Sequence, residues 1–434
     1  MEPRRLPARF REKLVSLNRL EAELATHSGL TPNWLVVAFL LAILAIFSRN
    51  PSLFTNAQFY AEDGSIWFAN AYNHGWLHSL ILPNVGYMST MERLGTGVAL
   101  LTPFRFAPLV MALIGLLVQA LPVVILLSSR CRRLAPLTTR AFLAALYIAL
   151  PNVHEIHVVL TNTMWHLALA ALLLALATPP ETTPGRISDI AITLLAALSG
   201  PFSIILAPIA FAFWWFRRQT WSLFLTALLT FGAAVQVFTL THFGSSRSAG
   251  VLGATPKLFL RILAGNVFAS AIFGPFPFAR MMPFAVIVAG FLGGALILAY
   301  CLRSSTLELK LVILFCFALF LAELHNPIAQ PGVPAWQSLV RPESTRYSFF
   351  PMLAFVWASA WCALYARARL FRLAGVFVMC LMCTGIAFDW EYFHFSDEHF
   401  PIYVQRLQDA APGQHVIIPI VPAEWSMDLT KHAP

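Results

Sequence analysis

The sequence predicts an all-α polytopic membrane protein with about eleven transmembrane helices, and three observations carry that expectation. Of its 434 residues 58% are hydrophobic and only 11% charged, with a mean hydropathy of +0.71, against about a quarter charged for an ordinary soluble domain. Apolar runs of roughly 15 to 25 residues recur along the whole chain, the length a helix needs to cross a hydrocarbon core. Arginines gather in alternate connections between those runs, as the positive-inside rule requires. A barrel would show short alternating segments instead, so helices are the expected solution to backbone hydrogen bonding in lipid.

Residues 1–29 form a leader carrying Arg4, Arg5, Arg9, Arg11, Lys13 and Arg19. Its Leu6, Phe10, Leu14, Leu17, Leu20 and Leu24 fall at helical spacing, which predicts an amphipathic helix on the cytoplasmic membrane face. The first apolar run, near Trp34, has no small-residue cleavage site after it and reads as a retained span rather than a signal peptide. From the cytoplasmic side, spans are expected at 33–49, 104–128, 138–150, 163–178, 187–199, 201–216, 221–241, 283–302, 309–323, 347–365 and 370–388. Each inner connection then holds basic residues: Arg130, Arg132, Arg133 and Arg140; Arg186; Arg217 and Arg218; Arg303 and Lys310; Arg367, Arg369 and Arg372.

The segment "LLAALSGPFSIILAPIAF" is broken at Ser199, Gly200 and Pro201, either as a hairpin of two short helices or as one kinked span. A hairpin keeps Arg217, Arg218 and the 367–372 cluster inside. The long connections 50–103, 151–162, 242–282 and 324–346 then lie outside, together with the tail from Asp389 onward. In that tail "GQHVIIPI" reads as a short strand and "VPAEWSMDL" as a covering segment. The domain expectation is a leader (1–29), a transmembrane domain (30–388) and a small outer C-terminal segment (389–434).

Composition also excludes. The net charge of +9 is scattered over span ends with no soluble module to carry it, which argues against nucleic acid. Cys131, Cys301, Cys316, Cys362, Cys380 and Cys383 lie in or beside expected spans and form no disulfide framework or zinc spacing. The chain lacks G-x-G-x-x-G, the Walker loop, G-x-S-x-G and H-E-x-x-H, so ATP-driven pumping and zinc proteolysis lose most of their support.

Three outer stretches concentrate the chemistry. "QFYAEDGSIWFANAYNHGWLHSL" places Glu62 and Asp63 among aromatics, at the expected start of a helix whose Asn70, His74 and His78 share a face. Asp63 is either a functional acid or a cap for that helix. "PNVHEIHVVLTNTMWHLAL" holds Glu155 between His154 and His157, followed by Asn162, Trp165 and His166 at the mouth of a span, where polar groups are costly. "RPESTRYSFFP" brings Arg341 and Arg346 to the side where positive charge is disfavoured, so they need an anion: a lipid-linked phosphate, the nearby Glu343 or lipid headgroups. Arg247, Lys257, Arg261 and Arg280 are weaker candidates for the same role. His74 and His78 with Glu62 or Asp63 offer a divalent metal two or three ligands, but spacing fixes no third one.

The arrangement resembles the GT-C superfamily of polytopic glycosyltransferases, in particular bacterial membrane proteins of that type. The matching features are Tyr60-Ala61-Glu62-Asp63-Gly64 after the first span, "GWLHSLILPNVGYMSTMERL" behind it, "ALSGPFSIILAP", and Arg346-Tyr347 leading to Pro351. The resemblance implies a polyprenyl-phosphate or polyprenyl-diphosphate sugar as donor and a loop carboxylate as general base, Asp63 first and Glu62 second. It further implies Arg346 and Arg341 as cations for the leaving phosphate and Tyr347 as a hydrogen-bonding partner. Glu155, Asn162 and His166 would orient sugar hydroxyls, and Trp165 and Trp67 would stack on a ring. The expected outcome is inverting transfer to a cell-surface glycan or glycolipid on the outer face of a bacterial inner membrane. A polysaccharide polymerase or flippase of cell-envelope glycan export is the alternative, and a structural partner in an envelope complex a third.

Overall fold

The computed structural model describes residues 29–244, 251–327, 332–340 and 345–433. The expected leader helix falls almost wholly outside them. The longer helices follow the expected spans closely: α1 (Pro32–Arg49), α2 (Ala107–Leu127), α3 (Leu137–Ile148), α4 (Thr163–Leu176), α5 (Thr183–Ala197), α6 (Ser203–Arg217), α7 (Thr220–Phe243), α8 (Phe284–Ser304), α9 (Leu307–His325), α10 (Phe349–Tyr365) and α11 (Arg369–Asp389). The chain closes with α12 (Phe400–Asp409) and an antiparallel hairpin of β1 (His415–Ile420) and β2 (Trp425–Thr430). The covering segment expected after the first strand is therefore its partner strand.

Among the described residues seven helical segments are long and apolar enough to cross a membrane by length and composition. Six belong to the expected set. The seventh, Pro256–Phe273, lies where only an outer connection was expected. Its two ends meet the same end of the bundle: Arg261 donates to Ala279 and Met282 just before α8 begins, and Gly385 near the close of α11 lies against the Ile272 carbonyl. At 12 residues α3 extends only about 18 Å, so it is shorter than a hydrocarbon core.

α4 and α10 occupy the centre. Nearly every residue of α4 is buried, because its Ala and Leu side chains let neighbours approach on all sides. α10 fills the facing space with larger groups, and the Trp357 indole donates to the Leu143 carbonyl at 3.1 Å. α5 and α6 form the hairpin: Gly200, at φ +82°, turns the chain between them and donates to Met88 at 2.9 Å. One kinked span is thereby replaced by two short helices.

Contacts sort the bundle into two ends. At one, Arg130 pairs with Asp189 at 2.6 Å while Trp221 donates to the same carboxylate, and Arg217 pairs with Glu308 at 2.8 Å. Thr139 meets Tyr365 there, and Tyr300 receives the backbone N–H groups of Arg367 and Ala368. At the other end Arg49, buried at the close of α1, donates to Leu150, Asp389 and Trp390 carbonyls and lies 4.2 Å from the Tyr392 ring centroid. That one guanidinium ties the ends of α1, α3 and α11 together.

Candidate functional site

The site is assembled at the Arg49 end from three stretches far apart in sequence. Tyr60 forms a parallel bridge to Val421 beyond β1, with Ala61 donating to the Val421 carbonyl and Val421 to that of Phe59. This docks the C-terminal hairpin on the acidic motif, and Phe59, Trp67 and Phe68 share a second apolar core with Phe400, Ile418, Ile420, Met427 and Leu429. Ala61 adopts a left-handed φ of 40°, and the chain then turns into a π-helical stretch, Asp63–Phe68.

The single long helix expected after Asp63 is a correction. Asp63–Phe68 passes into Ala69–His74, and Gly75 at φ +88° breaks the run before Trp76–Ser79. His78 therefore belongs to a different helical turn from Asn70 and His74. Among the described residues no three His, Cys, Asp or Glu side chains come together as a metal site.

Asp63 caps nothing in its own helix. Its side chain is buried and accepts from the backbone N–H groups of Leu160 at 3.1 Å and Thr161 at 2.7 Å. Trp67 reinforces the joint by donating to the Thr161 hydroxyl at 3.0 Å. Burial pushes the Asp63 carboxyl up to about 8, against the opposing pull of its two N–H donors. A neutral, enclosed acid with both oxygens engaged is poorly placed as the general base expected of it. Glu62 is half-buried, and its charge acts on both the Tyr60 hydroxyl and the Arg346 guanidinium.

Glu155 has found the anion's role. It accepts from the Arg346 backbone N–H at 2.9 Å, from the Thr345 hydroxyl at 3.3 Å and from the Arg346 guanidinium. The Arg346 guanidinium lies 4.9 Å from the Tyr347 ring centroid and keeps 27% of its side chain exposed. Arg341 and Arg247 lie outside the described residues. Burial holds the Tyr60 hydroxyl in its neutral form, and the charges of Glu155 and Glu62 add to the effect.

The groups expected to contact sugar are buried and engaged with other parts of the chain. Asn162 donates to the Glu155 carbonyl at 2.7 Å, fixing the loop. His166 is buried between the Tyr147 hydroxyl at 2.8 Å and the Ile156 carbonyl at 3.0 Å. Trp165, 3% exposed, packs on Phe202 and Phe350, and Trp67, also buried, stands under the Arg93 guanidinium. None of these rings offers an open face for stacking.

Two site-bordering charges went unnoticed in the sequence. Glu92 is fully buried, and among the described residues neither of its oxygens has a hydrogen-bond partner. Burial pushes it up to about 8, with the Asp63 charge adding. Its neighbour Arg93 donates to the Leu82 carbonyl, and among the described residues two of its guanidinium nitrogens have no hydrogen-bond partner. "MERL", at the start of the Thr90–Leu100 helix, was the available signal, but a charged dipeptide in an outer loop reads as solvated until tertiary packing covers it. No protein-family model and no curated protein matches the chain.

Proposed function

We propose that this protein is a GT-C-like glycosyltransferase with eleven membrane crossings, which moves a sugar from a polyprenyl-phosphate-linked donor to a glycan or glycolipid on the outer face of a bacterial inner membrane. The single observation that supports the proposal is the Arg346–Glu155 pair at the bundle end opposite the Arg130–Asp189 and Arg217–Glu308 pairs, within electrostatic reach of Glu62 and Tyr60. With the basic end cytoplasmic by the positive-inside rule, the carboxylates face outward and both the tail and the first long loop lie outside.

Direct displacement at an anomeric carbon needs a carboxylate to take the acceptor hydroxyl's proton and a cation beside the departing phosphate. Glu62 supplies the first and the exposed part of Arg346 the second, while Glu155 fixes the orientation of that arginine. One base and one leaving group give inversion. Asp63 then acts as a positioning residue: its clamp on Leu160 and Thr161 sets the acidic motif against the loop that carries Glu155. Isolated membranes supplied with a radiolabelled polyprenyl-phosphate sugar test this. Transfer of label into lipid-linked or polymeric glycan, with inverted anomeric configuration and lost in Glu62→Gln, is the expected result; absence of transfer by wild type with any donor overturns it.

A further inference from the structure

A separate cavity of about 320 Å³ opens at the same end of the bundle, lined by Leu258, Arg261, Ala279, Arg280, Gln337 and Val340 with Val333. Its frame is built from side chains that hold backbone. Arg261 anchors the start of α8 through the Ala279 and Met282 carbonyls at 2.7 and 3.2 Å. Asn266 donates to the Leu339 carbonyl, and Trp336 donates to the Leu324 carbonyl at 2.8 Å. The backbone N–H groups of Ala335 and Trp336 donate to the Val251 and Leu252 carbonyls, each at 3.0 Å.

Among the described residues nothing compensates the charge in this cavity. Its lining contains two guanidinium groups and no carboxylate, and among the described residues neither Arg261 nor Arg280 has an acidic partner. Arg280 is exposed and holds no backbone group, so its charge serves no structural joint. Lys257 adds a third cation nearby, 5.8 Å from the centroid of Phe284 at the start of α8. Cations at an outward end are disfavoured by topology, and paired guanidinium groups match the oxygens of a phosphate.

The rest of the wall selects the kind of phosphate. Leu258, Val333, Val340 and Ala279 line the cavity with hydrocarbon, and Met281, Phe284 and Val286 beside it present exposed apolar side chains. A soluble anion has no use for such a rim, whereas a lipid brings its chain alongside its headgroup. We infer that this cavity binds the phosphate headgroup of a membrane lipid between Arg261 and Arg280, with the chain leaving past Met281 and Phe284. The inference stands on this cavity's own residues and does not depend on the transferase reading.

Binding of tritiated farnesyl phosphate to the purified full chain in phosphatidylcholine nanodiscs tests it. Saturable binding by wild type, weakened tenfold or more in Arg280→Gln at an unchanged melting temperature, is expected. Farnesol should fail to compete, and inorganic phosphate should compete only at concentrations far above those of farnesyl phosphate. Phosphatidylglycerol competing as well as farnesyl phosphate assigns the site to bulk phospholipid; its failure to compete assigns it to a prenyl phosphate. Inorganic phosphate binding as tightly as farnesyl phosphate overturns the lipid source. No saturable binding by wild type, or full binding by Arg280→Gln, overturns the site, whatever Arg261→Gln does, because Arg261 also holds two carbonyls.

Discussion

The two ends of the bundle treat charge in opposite ways. At the basic end each buried acid faces a cation: Asp189 takes a two-pronged contact from Arg130 plus the Trp221 indole, and Glu308 takes Arg217. At the opposite end, among the described residues, Asp63 relies on backbone N–H groups, neither Glu92 oxygen has a hydrogen-bond partner, and Arg261 and Arg280 have no acid. At the basic end the buried cation without an acid, Arg140, is held by the Ala135, Leu126 and Ser128 carbonyls. The buried acids without an ion-pair partner among the described residues, Asp63 and Glu92, gather at the other end, where such charges cost stability. Two pairs there follow the basic end's pattern, Glu155 with Arg346 and Asp389 with Arg49 at 3.9 Å.

The sharpest way to break that contrast is to cut one charge at each end. Asp189→Asn leaves Arg130 facing a neutral group and should destabilise the protein by about 3 kcal/mol or more, as loss of one partner of a buried pair does. Glu92→Gln should instead stabilise the protein, already at neutral pH and fully by pH 9, because it removes a buried acid that must take up a proton on folding. Thermal unfolding in detergent measures both; equal losses at the two ends would erase the distinction.

Asp63→Asn comes next. It removes one of two acceptors serving Leu160 and Thr161, and a loss of about 1 to 3 kcal/mol follows from leaving a buried N–H unsatisfied. Proteolysis of the 151–162 loop should speed up with it, whereas a merely solvated acid would leave the loop unchanged.

Stability should also depend on pH through Asp63 and Glu92. Both bind their proton more tightly in the folded chain, with values near 8 against about 4 when unfolded. From pH 4 to 8 the folded state therefore holds protons the unfolded state has released, and stability falls by up to about 1.4 kcal/mol per pH unit per group before levelling off. Melting temperature should drop over that window, with a shallower slope in Glu92→Gln. The smallest effect is expected at Asn73, whose side chain exchanges hydrogen bonds with Asp428 and Thr430 of β2. Asn73→Ala should cost about 1 kcal/mol and loosen the hairpin, seen as faster amide exchange at Thr430.

Local signals made the helices legible. Apolar length placed α1 through α11 within a few residues, and Gly200 with Pro201 marked the hairpin turn. The Pro256–Phe273 helix escaped because Arg261, Gly265 and Asn266 interrupt its apolar run. At the site the sequence named Glu62, Asp63, Glu155, Arg346 and Tyr347, which the fold does bring to one end. It could not show that Asp63 reaches a loop 97 residues away, that Glu155 already satisfies Arg346, or that Trp165 and His166 pack inward. Each of those outcomes is decided by which neighbour covers the side chain, and a polar residue at a span mouth looks the same whether it faces a ligand or the core. Glu92 was missed for the converse reason, since nothing local announces burial of an acid at the start of a short helix.

The central claim is that Glu62 takes the acceptor's proton while Asp63 only holds the motif in place. The most direct measurement is the initial transfer rate from a radiolabelled polyprenyl-phosphate sugar by purified wild type, Glu62→Gln and Asp63→Asn, each with its melting temperature. Loss of a general base predicts about a 100-fold or greater drop in kcat for Glu62→Gln at an unchanged melting temperature, with Asp63→Asn less stable but retaining measurable turnover. A Glu62→Gln rate within twofold of wild type, alongside abolished turnover in a fully folded Asp63→Asn, would contradict the account.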